Sequence, residues 1–405
     1  MQVLINITFL IIGFVLISLN QKKYNSYINH FTIFGFIWPF ITIGTQIIYP
    51  ESLKIEVVIL FYICWLSYII GSSIIKIKFS PTRNDKKPSK KNIFKLKILI
   101  YILVIFCFIS NWELLMLISN IGNLLAWATL RKEDGFSDLD QNIFYTLFQR
   151  VYLIYIPLSI YLLKYKAISK KIVILLFLTG FLFSILKFTR APILNLLIVT
   201  GITYIYIFNK KLPISSILVV GVIMLTIFIS STLLLADGSS NYDVFGEIKL
   251  YLFGGQVAYQ DILEGKYIDN LFYDIHNYTF DFLNYIWKKL GLIESYLSYV
   301  RNYSTRYGNL TNIYTYLDAY TMDFGIYGAI IGSFLTGLLS DYSYKVYATK
   351  KNIFALIFYG YVCYYNCFIF ANNEFIRFPV ILLILSLLIY NLIFNKSFYA
   401  KYSIK

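Results

Sequence analysis

Lys76-Ile-Lys-Phe-Ser-Pro-Thr-Arg-Asn-Asp-Lys-Lys-Pro-Ser-Lys-Lys-Asn-Ile-Phe-Lys-Leu-Lys97 holds nine Lys or Arg and one acid, Asp85, between two long apolar blocks. Apolar blocks of roughly 20 residues match the thickness of a hydrocarbon core. A loop this basic between two of them stays on the cytoplasmic side, where cations are retained during insertion. The stretch therefore fixes two things together: its flanks are membrane spans, and this side of the membrane is the inside.

The rest of the chain follows the same pattern. Of 405 residues, 58% are apolar and only 14% charged, against about 25% charged in soluble domains. So few charges cannot cover a soluble surface. The expected fold is an all-α polytopic membrane protein with about eleven spans, within a range of ten to twelve. They are Val3–Leu19, Phe31–Tyr49, Val57–Ile75, Ile98–Ser119, Tyr145–Leu163, Ile172–Leu186, Ile193–Phe208, Ile214–Ala236, Gly325–Ser340, Ile353–Phe370 and Val380–Phe394. The first block lacks a basic n-region and a small-residue cleavage site, so it reads as a retained span rather than a signal peptide.

Alternation from the basic loop places 23 of the 36 cations and two acids, Asp85 and Asp341, inside. It leaves 13 cations and 19 acids outside, with the N-terminus outside and the C-terminus in the cytoplasm. The net charge of +15 is thus spent on topology, and no nucleic-acid partner is expected. Residues 1–405 read as a single helical bundle that includes a large outer loop, 237–316. That loop mixes aromatic and charged residues, as in Tyr278-Thr-Phe-Asp-Phe-Leu-Asn-Tyr-Ile-Trp-Lys-Lys289, which suits amphipathic helices at headgroup depth. The four cysteines lie in apolar blocks, and no zinc or phosphate-loop signature occurs, so no metal or cofactor is expected.

Arginine is sorted against lysine. Of 29 Lys, 22 fall inside, whereas six of seven Arg fall outside: Arg131, Arg150, Arg190, Arg301, Arg306 and Arg377. Guanidinium grips phosphate or carboxylate with two parallel donors, which an ammonium does not. An outer anion is the implied ligand; the alternative is pairing with the outer acids. Arg190 stands in the hairpin Lys187-Phe-Thr-Arg-Ala-Pro192, where Thr189 would cap the next helix and Pro192 suits its first turn. Lys187, Arg190 and the free amides there would receive a lipid-linked phosphate, or else ordinary headgroups. A second cluster runs from Arg301 through Arg306, Asn312, Tyr314 and Asp318 to Asp323 and Gly325. Rings with Asn, Asp and Thr suit sugar recognition. Asp318 and Asp323 are candidate bases, with a salt bridge to an outer arginine as the alternative. His276, the one outer histidine, is a candidate proton carrier or a structural residue.

The chain resembles the oligosaccharide repeat-unit polymerases of bacterial surface polysaccharides, the Wzy or O-antigen polymerases. The resemblance rests on the many spans, the outer hairpin at Arg190 and the large outer loop in the C-terminal half. Its local match is Asn312-Ile-Tyr-Thr-Tyr316, then Tyr320-Thr-Met-Asp-Phe-Gly-Ile-Tyr-Gly328 and the small-residue run Gly332 to Gly337. Arg190 and Gly201 share the Arg-to-Gly spacing of some members, while Arg301 and Arg306 have no Gly at that offset. The resemblance implies a bacterial inner-membrane glycosyltransferase. It would move a growing glycan from undecaprenyl diphosphate to the hydroxyl of a new lipid-linked repeat unit, for O-antigen, lipopolysaccharide or capsule biosynthesis. The implied partners are the undecaprenyl-diphosphate-linked donor and acceptor, membrane lipids and a chain-length regulator protein. A diphosphate leaving group calls for preorganised positive charge rather than a metal. The catalytic assignment is then Arg190, Arg306 and Asp323, the last as base. Substrate contacts would come from Arg131, Arg150, Lys187, Arg301, Asn312, Tyr314, Asp318, Arg377 and His276. A lipid-linked glycan ligase, or a repeat-unit flippase or other transporter, is the alternative function.

Overall fold

A computed structural model describes residues 2–21, 23–24, 28–50, 52–75, 88–121, 148–186, 190–210, 243–265, 315–350 and 352–370, with a few isolated positions besides. Every element among them is helical. They are α1 (Gln2–Gln21), α2 (His30–Ile48), α3 (Ile55–Ile74), α4 (Lys90–Ser110), α5 (Trp112–Ile121), α6 (Tyr152–Lys164), α7 (Lys170–Ile185), α8 (Arg190–Phe208), α9 (Val244–Lys249), α10 (Gly255–Leu263), α11 (Leu317–Lys350) and α12 (Ile353–Phe368). A π-helical turn, Leu250–Gly254, joins α9 to α10.

Among the described residues, five helices are long and apolar enough to cross a membrane: α2, α3, α4, α8 from Ala191, and α11 to Thr349. Phe94, Tyr101, Ile105 and Ile109 of α4, and Leu175, Leu178 and Leu182 of α7, are exposed. Apolar belts of this extent would be a liability in water and are ordinary against lipid. The expected spans Ile214–Ala236 and Val380–Phe394 lie outside the described residues.

Local chemistry sets the helix ends. The Asn29 side chain accepts the Thr32 N–H at 2.9 Å and caps α2, and Ser89 and Ser169 do the same for α4 and α7. Lys166 (φ 55°) and Asn209 (φ 49°) take the left-handed conformation after α6 and α8. The next amides then reach back, Ala167 to Leu162 O and Lys210 to Ile205 O, both at 3.0 Å, which closes each helix in a Schellman turn. The expected span Ile98–Ser119 is corrected in two ways. It begins at Lys90, and it breaks at Asn111, where the Asn111 amide nitrogen, its Nδ2 and the Ser110 hydroxyl all donate to the Cys107 carbonyl. Local side-chain donors compete with the helical ladder there.

The chain divides into two compact units: Met1–Lys78, Phe245–Thr349 and Tyr365–Ile381 in the first, and Phe79–Val244, Lys350–Tyr364 and Leu382–Lys405 in the second. The second is built around α6, which packs on α4, α7 and α8. Nine consecutive residues of α6, Tyr152 to Ile160, are buried. Gly180 lets α7 approach: a β-carbon there would lie 2.6 Å from Ile156 Cδ1.

In the first unit α3 and α11 meet at glycines. A β-carbon on Gly71 would overlap the Phe334 carbonyl, and one on Gly337 would overlap the Tyr68 carbonyl. Ser67 donates to Ile330 O at 2.8 Å and Ser72 to Gly337 O at 3.1 Å across the same seam. Small residues and interhelical hydroxyl bonds replace the hydrophobic drive that lipid removes, at about 0.6 kcal/mol per bond.

α11 itself bends. At Gly325 (φ 64°, ψ −158°) the backbone leaves the helix, in a region that only glycine enters at low cost. The eight residues Leu317–Phe324 fold back along the arm that starts at Ile326. The Tyr316 hydroxyl meets Ser333 Oγ at 2.7 Å, the Tyr320 carbonyl lies against Gly328, and the Tyr320 ring covers Gly332. The expected boundary at Gly325 coincides with this bend, whereas the expected end at Ser340 falls short of Lys350.

Candidate functional site at the folded-back helix

The short arm of α11 carries Asp318, Thr321 and Asp323. Asp318 is fully buried in its first turn, where a carboxylate faces the positive end of the helix. Its Oδ1 accepts the Ala319 N–H at 2.7 Å. The preceding residue pair is pinned from both sides, because Tyr316 N–H donates to Ile369 O at 3.0 Å and Leu317 N–H to Thr315 Oγ1 at 3.3 Å.

α10 supplies the facing wall. This helix belongs to the large loop of the sequence reading and is buried in the first unit against α2. Tyr259 and Thr321 share a hydroxyl hydrogen bond at 2.6 Å. Burial, with a contribution from the Asp318 charge, pushes the Tyr259 phenol well above its ordinary range, so it stays a neutral donor. Gln256 donates to Thr42 Oγ1 at 2.9 Å. Gln260 accepts the Lys54 N–H at 3.1 Å and donates to Glu264 at 2.9 Å, and Glu264 pairs with the Lys54 ammonium at 3.1 Å.

Asp323 sits half-buried just before the bend. Its Oδ2 accepts the Thr279 N–H at 2.6 Å, and the Thr279 hydroxyl donates to Ala319 O at 3.3 Å. One residue of the large loop is thus tied to the short arm by two hydrogen bonds. The short helix carries two carboxylates and meets a protonated phenol, whose own helix holds two carboxamides. Such a set can orient hydroxyl groups and take a proton from one of them.

The structure places Asp318 and Asp323 on one short helix, with Asp318 within electrostatic range of Tyr259 in α10. Arg150 lies in the second unit, half-buried at the entrance to α6, within electrostatic range of the Tyr152 phenol. Arg190 opens α8, three residues before the expected start at Ile193, with Pro192 in the first turn. A β-carbon on Gly201 would meet nothing within 4 Å, so no close packing depends on that glycine. Arg131, Lys187, His276, Arg301, Arg306, Asn312, Tyr314 and Arg377 lie outside the described residues.

Gln256, Tyr259 and Gln260 are additions that the sequence reading missed. Their signal was the i, i+3, i+4 spacing of polar groups in Gly254-Gly-Gln-Val-Ala-Tyr-Gln260, a single turn too short to stand out from a long polar loop. No family model, curated protein or solved structure matches this chain.

Proposed function

We propose that the protein polymerises undecaprenyl-diphosphate-linked oligosaccharide repeat units at the outer face of a bacterial inner membrane. The observation that carries this reading is the bend at Gly325. The stretch resembling the polymerases, Tyr320 to Gly328, contains this bend, and the arm before it carries Asp318 and Asp323, with Thr321 bonded to Tyr259. In this reading the chain crosses the membrane about eleven times with the N-terminus outside. The arginine-rich outer segments hold the donor diphosphate, and Asp323 or Asp318 helps the acceptor hydroxyl lose its proton as the glycosidic bond forms. The diphosphate departs with the lipid carrier.

The test is the product. Deleting the gene is expected to leave surface glycan with single repeat units and no ladder of longer chains. A full ladder from cells with no second copy of the gene overturns the proposal. A transporter is the second reading, favoured by one observation: an ion pair, Lys23–Asp341, in which the Asp341 side chain is fully buried. Loss of the single units as well as the ladder would select the transporter or a ligase.

A further inference from the structure

Sixteen residues along α11 from Gly325, about 24 Å at helical rise, a second group of ionisable side chains surrounds Asp341. Lys23 Nζ donates to Asp341 Oδ2 at 2.7 Å and to the Ser72 carbonyl at 2.8 Å. The Tyr24 hydroxyl donates to Asp341 Oδ1 at 2.8 Å. His30 Nε2 stands 3.9 Å from the same Oδ1. The rings of Tyr24 and Tyr344 lie 5.0 Å and 6.4 Å from the imidazole. Lys345, one turn further along α11, adds its charge, and Tyr68 of α3 lies within electrostatic range of Tyr24.

Tyr24, His30 and Asp341 are fully buried, and the Lys23 side chain is 15% exposed. One carboxylate therefore contacts one ammonium in a dry corner, with the Lys345 charge further off. The Ser72 carbonyl, in the last turn of α3, strengthens the hold on Lys23 because carbonyl ends of helices attract cations. The Tyr24 phenol is pushed far up, by burial first and by the Asp341 charge second, and serves as a permanent donor.

We propose that this corner is a proton-responsive clasp in which His30 and Lys23 are alternative counter-ions of Asp341. With His30 neutral, Lys23 occupies the carboxylate and ties the α1–α2 connection to α3 and α11. A proton on His30 places two cations against one carboxylate, a charge excess that a buried site does not hold. Lys23 is the member that leaves, since it alone reaches water and it lies outside the helices. The clasp is independent of the chemistry proposed at the other end of α11.

The experiment is thermal unfolding of the purified full-length protein between pH 8 and pH 5. Wild type is expected to lose stability as pH falls through about 6.5, the ordinary histidine value, because the unfolded chain then takes up a proton that the closed clasp does not bind. His30→Gln is expected to flatten that slope. The chain has only two histidines, so His276→Gln is measured beside it, and a slope that His276→Gln flattens while His30→Gln keeps it overturns the proposal. Lys23→Met is expected to reverse the slope by several degrees, because protonated His30 replaces the lost ammonium. A wild-type slope in His30→Gln overturns the proposal, and so does an unreversed slope in Lys23→Met. Should Lys23→Met fail to accumulate, the His30→Gln comparison decides alone.

Discussion

Gly325 is the residue on which the fold-back depends. Its φ of 64° with ψ of −158° belongs to glycine, yet a β-carbon there would meet nothing within 4 Å. Gly325→Ala is thus a pure backbone perturbation, expected to cost about 1–3 kcal/mol. The check is the denaturation midpoint of the purified protein, and an unchanged midpoint would mean that the bend is not held as described. Arg190 tests a different property. If its guanidinium grips the donor diphosphate with two donors, Arg190→Lys keeps the charge and loses the fork. Loss of one strong donor to a developing charge costs roughly 3–4 kcal/mol, or on the order of a hundred- to thousand-fold in rate. The complemented ladder should then collapse to single units at matched protein level. Normal chains from Arg190→Lys would reduce the residue to a headgroup anchor. The sequence pointed to Asp318 and Asp323 because hydroxyls, amides and acids gathered at a span entrance must face protein or water. The hydrogen bond from Thr279 to Asp323 was invisible, because it joins positions 44 residues apart.

At the scale of elements, the α3–α11 seam carries the sharpest expectation. Gly71→Leu and Gly337→Leu each drive a side chain into the backbone of the facing helix, and close-packed interiors respond to overpacking with a cost of about 1–3 kcal/mol or more. Gly201→Leu in α8 enlarges a side chain into open space and should change stability by less than roughly 0.5 kcal/mol. Melting the three variants side by side checks both halves; equal losses would refute the seam. Apolar blocks announced the helices themselves, since burial of the backbone in lipid requires them. The break at Asn111 escaped notice because it arises from Ser110 and Asn111 bonding one carbonyl, inside a block that hydropathy alone reads as continuous. Asp341 did carry a legible anomaly: it is one of only two acids on the side crowded with lysines. Its partners, Lys23 and His30, are more than 300 residues away, beyond any local pattern.

For the whole molecule, the lysine asymmetry predicts orientation. Reporter fusions after Lys90, Lys170, Lys210 and Lys350 should report cytoplasm, and fusions near Ser137 and Asp269 the outer compartment. A cytoplasmic signal at Asp269 would place the short arm of α11 on the wrong side for the proposed chemistry. The chain gave no hint of its division into two units, because each is assembled from segments far apart in sequence and α12 contributes to both. The burial of α6 has a consequence for biogenesis. At 13 residues, about 20 Å long, it is shorter than the hydrocarbon core, and it holds Pro157, Ser159 and two tyrosines, Tyr152 and Tyr155, among its buried residues. Such a helix buries its polar groups against neighbours rather than lipid. Its burial is complete only once α4, α7 and α8 surround it, so an early truncation after α6 is expected to leave that helix less stably seated than the full second unit does.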